Sequence, residues 1–387
     1  MSEPSLKVEL QKVTTSGYHD ISSYVRSFSL SRGRSRQLDK FEAGQLNIVF
    51  NNNTRAFDPL YTSSPFYGAI VPRANIKVTV GGFIAFSGAV TDWNLAYDVS
   101  GQSNATLVAA DLFSVVSQQI FTISSTIPGT LGDQFGYSGV SEPDLGINWS
   151  TSVGTVSGIA SSATSHTITG LNVLEFWQTL ERSERGYLFV GRDGLINFYG
   201  RNQENNTGIV LADDGTGIGY VDLNVIYGTE LLYNKAIMSR VDSSNNAAGT
   251  VTAKNPTSAS SYGYSLYEDN GLIYDTDTEL TDAVTTFVVE YGDPEYRFES
   301  ASIALHGLSN ANQNSLLALD LTDNIQIKFT PNGIGSALSK FVKVIGIELS
   351  GEPGSCVMTM RFEEIYNGYL VLDSDSYGLL DSYRLYW

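Results

Sequence analysis

Two stretches of this chain follow one plan, and that repetition constrains the fold more than any other feature. Residues 76 to 113 run as a short alternating strand, a glycine turn, a longer strand, a second glycine turn and a final strand, and residues 325 to 365 run the same way. Ile325-Gln326-Ile327-Lys328-Phe329 stands in the place of Ile76-Lys77-Val78-Thr79-Val80, and Lys343 to Glu348 in that of Gly88 to Trp93. Apolar residues at every second position give a strand one buried face. Self-similarity at such a distance predicts two copies of one β unit, the second carrying an insertion. Five or more strands with one apolar face describe a small barrel or sandwich. Composition agrees, because 37 glycines, 22 tyrosines and 18 phenylalanines favour strands and turns over helices.

The stretch Asp20 to Pro59 predicts two strands around a charged connection. Phe28 and Leu30 share one face; Leu46, Ile48 and Phe50 share another, with Gln45 and Asn47 pointing the opposite way. Between them lie Arg32, Arg34 and Arg36, a dense basic cluster in a chain of net charge −18. Such a charge repels nucleic acid, and Asp39 and Glu42 stand close by. The arginines therefore read as a solvated loop or an ion-pairing one, with DNA contact the weakest reading.

Residues 123 to 170 are rich in Ser, Gly and Thr and show little periodicity. A clear helix follows: Asn172 and Glu175 have capping-box spacing, Leu171, Leu174, Trp177 and Leu180 recur every three residues, and Gly186 is a natural stop. Tyr187–Val190 and Leu195–Tyr199 then flank Gly191-Arg192-Asp193-Gly194, a hairpin signal. A second helix is predicted over Thr281–Tyr291. The fold class is mainly β with a minor α+β part. Its predicted parts are a first β unit over 1–110, a helix-and-hairpin domain over 111–205, a second β unit over 206–365 interrupted at about 242–295, and a tail over 366–387.

Catalytic patterns are missing. His19, His166 and His306 have no zinc or serine-partner spacing. Asp213-Asp214 and Glu363-Glu364 are sequence neighbours, which point to opposite faces of a strand, whereas a glycosidase needs two carboxyls across a cleft. Asp275-Thr276-Asp277-Thr278-Glu279 and Asp373-Ser374-Asp375 resemble the start of a calcium loop without its later ligands. No enzyme activity, metal or cofactor is expected. A single cysteine, Cys356, precludes an internal disulfide. The amino terminus has no signal-peptide pattern, and no run approaches the ~20 apolar residues of a membrane helix. The expectation is a soluble protein made in the cytoplasm, with no membrane anchor.

The order of parts in the first sixty residues (strand, Arg-rich connection, Ala43-Gly44, strand, and Asn52-x-x-Arg55-x-Phe57-Asp58-Pro59) resembles the amino-terminal region of minor tail proteins of long-tailed bacteriophages, the tail-hub or baseplate-hub family. Phe198-Tyr199-Gly200-Arg201, Tyr233-Asn234-Lys235-Ala236, Ser261-Tyr262-Gly263, Asp293 to Arg297 and Leu370 to Leu385 are similar to family segments in the same order. The resemblance implies two tube-like β-barrels in each chain of a homotrimer. Six barrels in a pseudo-six-fold ring would adapt a hexameric tail tube to a three-fold tip. The implied partners are a distal tail protein or tube ring, a tape measure protein, a tip fibre or spike, and duplex DNA passing unbound during genome ejection. The implied location is the virion tail tip. On this reading Arg32, Arg34 and Arg36 sit at a subunit interface, while Asn47, Asp92, Asn94 and Glu348 line a net acidic lumen. The alternative is a carbohydrate-binding host-attachment module, which would be monomeric and present an exposed aromatic platform.

Overall fold

The computed structural model describes residues 3–11, 17–122, 126–141, 147–159 and 161–365. The expected tail at 366–387 lies outside the described residues. The first β unit contains β1 (Leu6–Gln11), β2 (His19–Asp20), β3 (Val25–Gly33), β4 (Glu42–Asn51), β5 (Asn75–Val80), β6 (Phe83–Tyr97) and β7 (Ser103–Ala110). Strand order is β3-β4-β7-β6-β5-β1-β2. The long β6 changes partner at Ala89: its first half pairs with β5 and its second with β7. A bulge at Thr91 marks the change, and such bulged strands turn the corner between two packed layers. Phe28 faces Ile48 and Leu30 faces Leu46 across β3 and β4, so both sets enter one core with Val8, Ile76, Val78 and Leu107. Phe57 stacks on Phe50 at 4.5 Å between ring centroids and closes the end of that core.

The middle region holds α1 (Phe113–Val116), β8 (Thr126–Ile127), α2 (Leu131–Ser141), α3 (Trp149–Ser152), β9 (Val153–Ser157), β10 (His166–Thr167), α4 (Val173–Glu184), β11 (Tyr187–Val190) and β12 (Ile196–Tyr199). The side chain of Asn172 caps α4 by accepting from the Glu175 backbone N–H, as its spacing predicts. The stop differs in detail. Arg185, not Gly186, takes the left-handed conformation, with φ of 56°. Gly186 is needed for a different reason, since a Cβ there would run into the Tyr199 carbonyl. Among the elements not foreseen is α2. Its small residues let bulky ones approach: Gly139 faces the Trp149 ring, and Ser138 Oγ accepts from Trp177 Nε1 at 3.0 Å.

The second β unit comprises β13 (Asn205–Ala212), β14 (Asp222–Tyr227), then an insertion of β15 (Lys235–Val241), β16 (Ala247–Lys254), α5 (Pro256–Tyr262), β17 (Leu266–Leu272) and α6 (Asp277–Tyr291). It resumes with β18 (Tyr296–Ala304), α7 (Asn310–Ala318), β19 (Asp323–Phe329), β20 (Leu338–Glu352) and β21 (Ser355–Glu364). The inserted strands form their own sheet, β16-β15-β17, over a separate core that includes Met238, Leu280, Val284 and Phe287. That sheet takes in Lys235–Val241, which lies before position 242. The acids at 275–279 start α6: Thr276 and Glu279 form a reciprocal capping box.

Two copies of one unit are evident in β5-β6-β7 and β19-β20-β21. Both middle strands are 15 residues long, and each carries one bulge where the pairing changes, Thr91 in β6 and Ile345 in β20. Matching the bulges aligns Val90 with Val344 and Trp93 with Ile347, one residue away from the alignment that apolar pattern alone gives. The copies do not close separately. Residues 346–351 of β20 pair antiparallel with residues 28–33 of β3. The result, among the described residues, is one open thirteen-stranded sheet, β14-β18-β21-β20-β3-β4-β7-β6-β5-β1-β2, with β19 and β13 branching from β20.

Packing in α2 yields a test of opposite signs. Gly136 faces open space while Gly139 faces the Trp149 ring. Replacing helical glycine by alanine ordinarily stabilises by about 0.5–1 kcal/mol, and Gly136→Ala should do so. Gly139→Ala should instead destabilise by about 1–3 kcal/mol through overpacking. Urea unfolding of the two variants checks this, and equal effects would contradict the packing.

Candidate assembly surface

Across the joined sheet the register sets polar residues side by side. One row of facing residues reads Ala304, Val357, Ser350, Ser29, Asn47, Val108, Asp92. The next reads Asp222, Ser302, Thr359, Glu348, Ser31, Gln45, Ala110. Alternation puts the aliphatic residues between them into the core and leaves these on the other face. Asn47, Asp92, Asn94 and Glu348 all stand on this face, Asn47, Asp92 and Asn94 exposed and Glu348 half-buried. The face is small and mostly neutral. Arg361, facing Ser300 in the adjoining row, donates to Glu348 Oε1 at 2.8 Å and 3.0 Å.

The basic connection lies differently from its sequence expectation as an exposed loop. Arg32 is buried and its Nη1 donates to Asp320 at 2.7 Å. Arg34 is buried against Glu363, with its guanidinium 4.9 Å from the Phe41 ring centroid and 5.5 Å from that of Tyr187. Only Arg36 of the three faces solvent, paired with exposed Glu230 at 2.5 Å. Arg32 shares the core-facing side of β3 with Phe28 and Leu30, and beyond it Gly33, at φ of 100°, turns the chain where a Cβ would strike the Ile345 carbonyl.

Arg34 belongs to a buried polar cluster joining the three regions of the chain. Lys343 Nζ donates to the Gln203 carbonyl at 2.6 Å and sits 4.6 Å from the Tyr187 ring centroid. Gln37 donates to the Tyr291 hydroxyl at 2.8 Å. Arg185 pairs with Glu290 of α6, and Arg182 with Asp269 of β17. Burial pushes Lys343 down, and it raises the Tyr291 hydroxyl, with the Glu363 charge adding to the rise. Burial works against the charge on Arg34 too, yet Glu363, Tyr187, Glu181 and Tyr291 together more than offset it and its pKa rises. Glu181, buried in α4 and accepting from the Leu188 N–H, is raised by burial to about 7.

The acid pairs are taken up in the structure. Glu363 meets Arg34 while its neighbour Glu364 meets Lys340. Asp213 accepts from the Thr330 N–H at 2.8 Å, and Asp214 from Thr216 at 2.9 Å. Among the described residues no three His, Cys, Asp or Glu side chains gather into a metal-binding group, and no helix is long and apolar enough to cross a membrane. Among the open strand edges of the described residues, two were not disclosed by the sequence. β14 ends the sheet, and the second half of β6 pairs only with β7.

Neither a family model nor a curated protein matches this sequence. Solved structures do. A tail protein from Neisseria meningitidis MC58 aligns with TM-score 0.61 at 11% identity, over 94% of this chain and 96% of its own. The 43 kDa tail protein of prophage MuSo2 from Shewanella oneidensis aligns with TM-score 0.61 at 12% identity, over 92% and 98%. An E. coli type VI secretion component, described as structurally similar to T4 bacteriophage tail proteins gp27 and gp5, aligns with TM-score 0.53 at 10% identity, over 96% and 78%. The chain shares their fold.

Two stability tests follow from the buried cluster. Arg34→Met leaves Glu363 without its cation and should cost about 3–5 kcal/mol in chemical unfolding; a neutral outcome would show the pair to be dispensable. Glu181 has a folded pKa of about 7 against an ordinary 4.5, so the folded state holds its proton where the unfolded state has lost it. Its contribution is full below pH ~4.5 and fades as pH rises to ~7, by at most about 3 kcal/mol. Glu181→Gln should flatten that fall in unfolding curves measured across pH 4 to 8.

Proposed function

We propose that the protein is a structural subunit of a phage-type tail, the hub at the tail tip. The observation that carries this is the β3–β20 ladder, which places two near-equivalent units side by side in one sheet with a continuous polar face. Three copies would supply six such units, the number a six-fold tube presents. Each chain carries one insertion and one helix-and-hairpin region, so these elements would repeat three times and break the symmetry to three-fold. The ring would thus join a distal tail protein or tube ring on one side to a fibre or spike on the other. A tape measure protein and then duplex DNA would occupy its axis. The shared fold of the tail proteins supports the reading.

Asn47, Asp92, Asn94 and Glu348 would line the lumen, together with the serines and threonines beside them. Asp92 and Asp222 lack a facing base in those rows, and Arg361 is held by Glu348, so the lumen would be net acidic. Phosphate neutralisation dominates non-specific DNA affinity, and this face offers little of it. Of the three arginines, Arg36 is the one placed to reach a neighbouring subunit.

Symmetry in an intact tail decides the matter. Three copies per tip are expected, with an acidic inner face; one or six copies, or a basic channel, would overturn the assignment.

A further inference from the structure

The pairing inside the chain can be read as a template for pairing between chains. Registers in the two copies correspond through Ser29 and Asn224, beyond which β18 carries a bulge at Glu299 that β4 lacks while β14 itself runs on unbroken. Ser29, Asn47 and Val108 face one another in sequence as Asn224, Ser300 and Arg361 do. After the shared bulge, Asp92 faces Val108 as Gly346 faces Arg361. Residues 28–32 of β3 therefore correspond to 223–227 of β14, and 347–351 of β20 to 93–97 of β6. Inside the chain the first copy's β3 pairs with the second copy's β20. Their counterparts, β14 and the second half of β6, are both open edges among the described residues.

We infer that β14 of one chain pairs antiparallel with the second half of β6 of a second copy, in the register of β3 on β20. Transferring Phe28–Gly351, Ser29–Ser350, Leu30–Leu349, Ser31–Glu348 and Arg32–Ile347 sets Leu223 opposite Tyr97, Asn224 opposite Ala96, and Val225 opposite Leu95. It also sets Ile226 opposite Asn94 and Tyr227 opposite Trp93. The surfaces suit burial. Tyr227 is 66% exposed and Tyr97 54%, and Leu95, Val225 and Leu223 are half-buried beside them. Open apolar strand edges are templates for another strand. The indole N–H of Trp93, at this same edge, has no acceptor among the described residues. A large hydroxylated ring such as Tyr227 would be brought next to it.

Because the two edges differ, the contact is head-to-tail. Such a contact closes into a cyclic ring or runs on as a filament and cannot make a two-fold dimer. The edge match stands on the internal pairing, and only its closure at three chains rests on the hub reading.

Cysteine cross-linking of the full chain tests the register. Ala96 and Asn224 are exposed and would face each other within disulfide reach. Asp92 would stand four residues off, about 13 Å from Asn224 along the strand. Under a mild oxidant, Ala96→Cys mixed with Asn224→Cys should give covalent dimers, and neither variant alone should. The doubly substituted chain should give a ladder that ends in a closed ring, and Asp92→Cys with Asn224→Cys should give none. Unchanged circular dichroism confirms that each variant folds. Self-linking by a single variant, linking by the displaced pair, or no link at any protein concentration overturns the edge pairing. A three-chain ring without the link would sink the pairing and leave the hub standing; a linked ladder running past three chains would do the reverse.

Discussion

The six-residue ladder between β3 and β20 is the constraint on which the rest of the molecule depends. It forces the chain to bring residues 28–33 beside residues 346–351, and it fixes one orientation between the two copies. The side chains at its end reflect that closeness. Gly33 passes so near the Ile345 carbonyl that no other residue fits. The arginines on either side then find themselves under cover and need acids to meet them. Asp320 and Glu363 do so. Buried ion pairs are weak sources of stability but costly to break. Here they act as a check on the joint: a slipped ladder would leave guanidinium groups buried without a partner.

Strand alternation, the long-range repeat, the cap of α4 and the hairpin after it were legible because each depends on neighbours in sequence. Features that depend on tertiary contact were not. The partners of Arg32 and Arg34 lie 288 and 329 residues away, so although alternation sets Arg32 on the side of Phe28 and Leu30, nothing near either arginine in sequence names the acid that meets it. The helix α2 has a weak apolar pattern because Gly139 and Ser138 serve two tryptophans rather than a core stripe. Residues Lys235–Val241 alternate like any strand of the main sheet, and only the presence of a second core under Met238 separates them. The alignment of the copies is fixed by the bulges at Thr91 and Ile345, which leave no compositional mark. Asn47, Asp92, Asn94 and Glu348 lie on one face because period-two alternation is carried across the ladder register; that register is a tertiary fact the sequence does not state.

The polar face and the buried cluster solve different problems with the same element types. On the face, short hydroxyl and amide side chains keep charge low and water close. In the cluster, aromatic rings of Tyr187, Phe41 and Tyr291 surround the cations and exclude water. The sheet thus separates a wet, weakly acidic side from a dry, charged joint where the helical region and the insertion meet it.

The ladder also sets a clock. β3 is complete roughly 310 residues before its partner in β20 exists. At ribosomal speeds of about 5–20 residues per second, that interval is on the order of 15–60 s. During synthesis the first copy therefore carries three open edges rather than two, on a polysome crowded with identical chains. Its sequence suits the wait: Ser27, Ser29, Ser31 and the charge of Arg32 punctuate β3, the kind of residues that discourage premature strand pairing. The same arginine that locks the finished joint guards the unfinished edge.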